Sequence, residues 1–186
     1  MVTARQRLTL EEFLRLPEEK PALEYFDGRV TQKVSPKGRH STLQYTAAEF
    51  VNLRSRPARL AFAFTELRTS WSGTSLVPDV SVYRWDRIPR DGDGDVADDF
   101  VEPPDVAIEI LSPGQSLRAM DERCRWFVAN GVAVALAVHP RRRTVKVFRQ
   151  DLTEVTLQAG DVVDLEDVIP GLRLALNDLF GALRFV

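Results

Sequence analysis

Two carboxylates stand where a β-sheet is about to bury its side chains. Asp79 lies in "SLVPDVSVY" (75–83), at the mouth of an alternating apolar run, and Glu109 lies in the middle of "DVAIEILSP" (105–113). A lone carboxylate is costly inside a strand, because it gives up strong hydration for apolar surroundings. A cation beside it offsets that cost. Strand side chains alternate. Val80 and Val82 therefore share one face, and Asp79, Ser81 and Tyr83 the other; in the second run Val106, Ile108 and Ile110 oppose Ala107, Glu109 and Leu111. If the two strands are neighbours, Asp79 and Glu109 can converge on one Mg²⁺ or Mn²⁺. Such hard ions take oxygen ligands, are commonly held by one or two carboxylates, and keep several waters. The spacing also permits a plainer arrangement, with Asp79 as a turn residue and Glu109 in a salt bridge to Arg123 or Arg125. Both remain open on spacing alone.

The surrounding pattern says what must position these groups. "LTLEEFLRLP" reads as a short helix, with Thr9 and Glu12 in a capping-box pattern and Pro17 ending it. "ALEYFDGRVTQKVSP" (22–36) reads as a hairpin turning at Asp27-Gly28. "HSTLQYTAAEFVNLRS" (40–55) places Leu43, Ala47, Phe50 and Val51 at helical spacing. "RLAFAFTELRTSWS" and "LVPDVSVYRW" read as strands, and "DVAIEILSP" as a strand stopped by Ser-Pro. "SLRAMDERCRWFVANG" (116–131) is a helix with Leu117, Met120, Cys124, Phe127 and Val128 on its apolar face and Gly131 as its stop. "VAVALAV" reads as a fully buried strand, "RTVKVFRQ" and "TEVTLQ" as further strands, and "LNDLFGAL" as a terminal helix. The order is that of a mixed α/β fold with a curled sheet, not a doubly wound one.

Composition narrows the function classes. The chain has 186 residues, 44% hydrophobic and 28% charged, enough for one domain with a real core. A net charge of −2 gives no global basic field, so any contact with nucleic acid must come from a local patch. One cysteine, Cys124, excludes an intrachain disulfide and a cysteine-based zinc cluster, and two histidines, His40 and His139, argue against a multi-histidine centre. The charged stretch "MVTARQRLTLEEFLRLP" carries no signal-peptide core, and "VAVALAV" is too short to span a membrane. A cytoplasmic protein is the expectation.

The ordered set "LTLEEFLRLP", "LEYFDGRV", "SP…H", "PDVSVY", "DVAIEILSP", a helix ending "NGV", and "IPGLRL…DLF" resembles the Uma-type family of restriction endonucleases, within the PD-(D/E)XK nuclease superfamily. The resemblance covers nearly the whole chain. It implies a single restriction-endonuclease-like domain over 1–186, with a central mixed sheet flanked by helices and an N-terminal helix and hairpin (about 1–36) packed on the nuclease core. It implies Mg²⁺- or Mn²⁺-dependent hydrolysis of DNA phosphodiester bonds, and it makes a homodimer an expectation. Residue by residue, the family's glutamate near the hairpin falls on Glu24, its Pro-Asp aspartate on Asp79 and its strand glutamate on Glu109; the last two would hold the metal. The superfamily's usual lysine position, two residues after the glutamate, is Leu111. The family's helix lysine falls on Arg123, which stays protonated and so cannot be a general base, but can clamp a phosphate. Lys33 and Lys146 are substitute cations that match no family motif. His40 matches the family's histidine and joins Arg123 as a candidate for substrate binding. The substitution at Arg123 supports an alternative: a nuclease fold that has lost catalysis and serves as a nucleic-acid-binding or protein-interaction module.

Other signals are weaker. "DGDGDVADDFVE" (91–102) places Asp91, Asp93, Asp95 and Glu102 at calcium-loop spacing, but Val96 occupies the place where the turn needs glycine. A flexible acidic loop is the better reading. "HPRRRT" (139–144) puts three arginines at a hairpin tip, able to touch phosphates. Cys124 reads as a core thiol, and Trp71, Trp85 and Trp126 as packing residues.

Overall fold

The computed structural model describes residues 8–185. Residues 1–7, part of the charged stretch read above as lacking a signal-peptide core, lie outside them. Helix α1 (Leu10–Leu14) begins at the expected box: Thr9 Oγ1 accepts the Glu12 amide at 3.2 Å, and the Glu12 carboxylate accepts the Thr9 amide at 2.8 Å. Strands β1 (Leu23–Phe26) and β2 (Arg29–Gln32) form the hairpin. Its turn needs two residues with positive φ, which Asp27 and Gly28 supply at 48° and 73°.

Helix α2 (Gly38–Ser55) leads into β3 (Ala61–Thr65) and β4 (Val80–Arg84). A 3₁₀ turn (Trp85–Arg87) and the acidic loop precede β5 (Val106–Ile110), followed by α3 (Leu117–Ala129). Strands β6 (Val134–His139), β7 (Thr144–Arg149) and β8 (Glu154–Gln158) come next. Strands β9 (Val162–Asp164) and β10 (Arg173–Ala175) make a small separate sheet, and α4 (Leu176–Gly181) follows.

Six strands form one sheet in the order β3-β4-β5-β6-β7-β8. Every pair is antiparallel except β5–β6. A parallel pair needs a long crossover, and α3 supplies it. One face of the sheet carries Val80, Val82, Val106, Ile108, Ile110 and Leu136 against the apolar stripes of α2 and α4. The other carries Ala107, Ala135 and Ala137, whose small side chains leave room for Trp71 and for Met120, Cys124 and Phe127 of α3. Each fully buried Val, Leu or Phe contributes about 1.5–3 kcal/mol, so α2 and α3 are clamped on opposite faces of β5, every residue of which is buried.

The run 59–72, expected as one long strand, is paired in the sheet only as far as Thr65. Glu66 takes a φ of 52°, which turns the chain out of the ladder. Likewise β4 starts at Val80, leaving Asp79 in a bend just ahead of it. Both departures deliver a carboxylate to the same end of the sheet.

Candidate active site

The β4–β5 ladder ends with Val80 opposite Ile108. The next outward amide of β5, that of Ile110, has no strand carbonyl to meet. Asp79 supplies one: its Oδ2 accepts the Ile110 N–H at 2.7 Å. The aspartate therefore replaces a rung of the ladder, and its carboxylate lies beside the end of β5 next to Glu109.

Two cations serve these acids. The Lys33 ammonium, just beyond β2, donates to Asp79 Oδ1 at 2.7 Å and to the Val77 carbonyl at 2.8 Å, and lies 3.1 Å from Glu66. Arg123, on α3, donates from Nε to Glu109 Oε1 at 2.7 Å and from its two terminal nitrogens to Glu24 at 2.6 and 3.1 Å. Such a fork on one carboxylate is the strong form of a charge-assisted pair. Glu24 Oε1 also accepts the Val77 amide at 2.8 Å, which fixes β1 against the approach to β4. Of the two salt-bridge partners open to Glu109, the structure selects Arg123; Arg125 pairs with Glu154.

The charges follow from this geometry. Burial works against ionising Asp79, but the neighbouring His40 and Lys33 outweigh it and hold the carboxyl at about 2. Burial pushes Lys33 down, and Asp79, Glu109 and Glu66 raise it further than that, so it remains an ammonium. Glu109 goes the other way. Burial lifts it, Asp79 adds repulsion, and Arg123 offsets only part, leaving it at about 7. Arg123 itself is raised by Glu109 and Glu24 despite its own burial. Arg123 is thus a fixed cation, and Glu109 is the member of the pair that can take up a proton.

His40, in the first turns of α2, is buried. Its Nδ1 shares a hydrogen bond with Ser112 Oγ at 3.0 Å. Its Nε2 lies 3.3 Å from Asp79 Oδ2, near enough for electrostatic attraction but not aligned as a hydrogen bond, and has no hydrogen-bond partner. One turn further on, the Gln44 amide donates to the Asp79 carbonyl and to Glu66, both at 2.8 Å.

Glu24, Lys33, His40, Asp79, Glu109 and Arg123 all border one cleft of about 260 Å³. Asp79 and Glu109, the expected pair, both line it. The donor set is mostly carboxylate oxygen, with Glu24, Asp79 and Glu109 set against the two fixed cations Lys33 and Arg123. Carboxylate oxygens are the donors a hard divalent ion takes. A second groove, of about 870 Å³, shares His40, Ser112 and Gln115 with the cleft and continues past Lys37, Arg39 and Arg141.

The Uma2 family model, described as "Putative restriction endonuclease", matches residues 10–177. The chain belongs to the Uma2 family. It is similar to a crystal structure described as a "putative nuclease belonging to DUF820" from Anabaena variabilis ATCC 29413, with a TM-score of 0.90 at 37% identity, over 95% of this chain and 99% of that one. No curated protein matches. The fold is therefore the restriction-endonuclease-like one, with the mixed central sheet that the sequence pattern implies.

Within this Uma2 chain the remaining candidates separate cleanly. Lys33 enters the cleft, whereas Lys146 bonds Asp121 and Glu154, neither of which lines it. Arg141, from the hairpin tip, lines the groove. The acidic loop folds on itself, with Asp91 Oδ1 accepting the amides of Asp93 and Asp95 at 3.0 Å each. Trp71 and Trp126 pack on each other with centroids 5.3 Å apart, and burial drives the Cys124 thiol well above its ordinary range.

Three cleft neighbours were not singled out in the sequence. Gln44 had a signal: it follows His40 by one turn and continues the apolar stripe of α2 as a polar residue. Ser112 was read only as a strand stop. Glu66 had no signal, because a backbone turn after β3 places it.

Proposed function

We propose that this protein is a metal-dependent endonuclease acting on DNA, with Mg²⁺ or Mn²⁺ held by Asp79 and Glu109. The observation that carries the reading is the meeting of Asp79, Glu109, Glu24, Lys33 and Arg123 on one cleft at the end of the β4–β5 ladder. A divalent ion held there would acidify a water and offset charge on a phosphoryl oxygen.

The chain's own groups do the rest. Lys37, Arg39 and the N-terminus of α2, which has no side-chain cap, present positive charge along the groove, and Arg141 faces them. These groups hold the phosphate backbone without reading sequence. Lys33 fixes the Asp79 carboxylate and keeps its proton. Arg123 cannot accept a proton, so its role is to donate N–H bonds to a phosphoryl oxygen when Glu24 releases it. Two copies of the chain would place two such clefts on opposite DNA strands.

One observation favours the second reading, a binding module without catalysis: Arg123 ties Glu109 and Glu24 together through three short contacts. Supercoiled plasmid decides between them. A nuclease nicks or linearises it with Mg²⁺ or Mn²⁺ and loses this on Asp79→Asn or Glu109→Gln. DNA retention in a gel-shift assay with no cleavage under either ion rejects the enzyme and leaves the binding module.

A further inference from the structure

A second geometric grouping adjoins the cleft and shares Asp79 with it. A ring nitrogen of His40 and carboxylate oxygens of Asp79 and Glu66 all lie within 4.8 Å of one another. The grouping comes from three separate places: the first turns of α2, the bend before β4 and the turn after β3.

Three features of His40 set it apart from a packing residue. The residue is only 6% exposed, yet Nε2 has no hydrogen-bond partner. Its Nδ1 is occupied by Ser112 Oγ at 3.0 Å. With Nδ1–H donating to that hydroxyl, Nε2 carries a lone pair. Metal-ligating histidines are held in this way, with the far ring nitrogen bonded to an oxygen that sets tautomer and orientation. Thirdly, the lone pair faces Asp79 Oδ2 at 3.3 Å. Lone pairs facing each other at that distance need a positive centre between them, either a proton on Nε2 or a cation. Ligand atoms at right angles on an octahedral ion with bonds of about 2.1 Å stand about 3 Å apart, close to the separation seen.

The Lys33 ammonium bridges Asp79 and Glu66 beside this position, 2.7 Å from the one and 3.1 Å from the other. It bonds Asp79 through Oδ1, leaving Oδ2 turned toward His40 and the Ile110 amide. Glu66 is the adaptable member, since its side chain is 41% exposed while that of Asp79 is 3% exposed.

We propose that His40 is a nitrogen ligand to a divalent cation held jointly with Asp79 and Glu66. The site then prefers a first-row transition ion, such as Mn²⁺, over Mg²⁺, because imidazole suits the former and all-oxygen sets suit the latter. This deepens the nuclease reading and rests on it, with Asp79 as the residue common to both ligand sets.

The test uses the purified full chain, stripped of metal, with Mn²⁺ and Mg²⁺ as probes. Calorimetry gives affinity and stoichiometry, and pulsed electron paramagnetic resonance reads nitrogen coupling to bound Mn²⁺. The chain has only two histidines, so coupling that persists in His139→Gln and changes with ¹⁵N-histidine labelling is assigned to His40 without altering it. The expected result is that coupling, lost in His40→Gln, together with a fall in Mn²⁺ affinity of about tenfold or more and a smaller change for Mg²⁺. Glu66→Gln weakens Mn²⁺ in the same direction. Mn²⁺ bound in an Asp79-dependent way with no nitrogen coupling overturns the His40 site and leaves the nuclease reading standing. Absence of any divalent binding overturns both.

Discussion

The Lys33 ammonium lies 2.7 Å from Asp79 Oδ1, and the two side chains are only 12% and 3% exposed. A buried pair of this kind is strongly destabilising to break from one side, because the remaining charge has neither water nor partner. Here the same ammonium also satisfies the Val77 carbonyl and reaches Glu66. Lys33→Met is therefore expected to lower stability by about 3–5 kcal/mol, read as a lower urea midpoint at unchanged slope. Adding Mn²⁺ is expected to recover part of the loss, since a divalent ion supplies the missing positive charge. A variant as stable as the parent without metal would show that Lys33 is a surface residue in all but appearance.

The two central acids give opposite pH dependences. Glu109 has a folded-state value of about 7 against an ordinary 4.5. The native protein therefore holds this proton more tightly than the unfolded chain. The associated stability is complete below 4.5 and is lost as pH rises through the folded-state value. Asp79 is held at about 2 against an ordinary 3.8, so its stability is present above 3.8 and is lost as pH falls toward 2. Metal-free protein is thus expected to be most stable between about pH 4 and 5, unusually acidic for a globular domain. Urea unfolding across pH 4–8 should show the decline above pH 5, and Glu109→Gln should flatten it. A curve that keeps rising to pH 7 contradicts the raised value of Glu109.

The elements around these groups were legible in the sequence because each repeats a local period. The alternating runs 76–85 and 105–113 and the apolar stripe of 116–131 bracket β4, β5 and α3 at 80–84, 106–110 and 117–129. Asp79 and Glu109 were legible for the opposite reason: each breaks its apolar surroundings at a cost that asks for a cation. Which cation answers was legible only in part: Arg123 or Arg125 was open as the partner of Glu109, and no partner was assigned to Lys33. Lys33 reaches Asp79 across 46 residues of sequence, and Arg123 reaches Glu24 across 99. Those meetings depend on how the β1–β2 hairpin docks and how α3 crosses over, and no local period carries that information. Glu66 is the extreme case. Its place is set by one backbone angle at the end of β3, in a run whose composition reads as continuous strand.

Arg123 is where binding energy and structure compete most directly. Its guanidinium satisfies three carboxylate oxygens on two acids. A lysine ammonium is a point charge on a flexible stem and cannot reproduce that fork. Arg123→Lys is therefore expected to cost about 1–3 kcal/mol in the metal-free state through the hydrogen bonds it cannot make. The same loss loosens Glu109, the carboxylate that a metal must recruit, so divalent binding should tighten. Metal at a hundredfold excess over Kd stabilises the parent by about 2.7 kcal/mol, and in a chain of this size each kcal/mol moves Tm by about 2–4 °C. The parent should then melt about 5–10 °C higher with saturating Mn²⁺, and Asp79→Asn should lose most of that shift. At the same Mn²⁺ concentration, Arg123→Lys should start from a lower Tm and show the larger rise. A rise equal to or smaller than the parent's would mean that Arg123 does not restrain Glu109, and that the contacts among Arg123, Glu109 and Glu24 are structural alone.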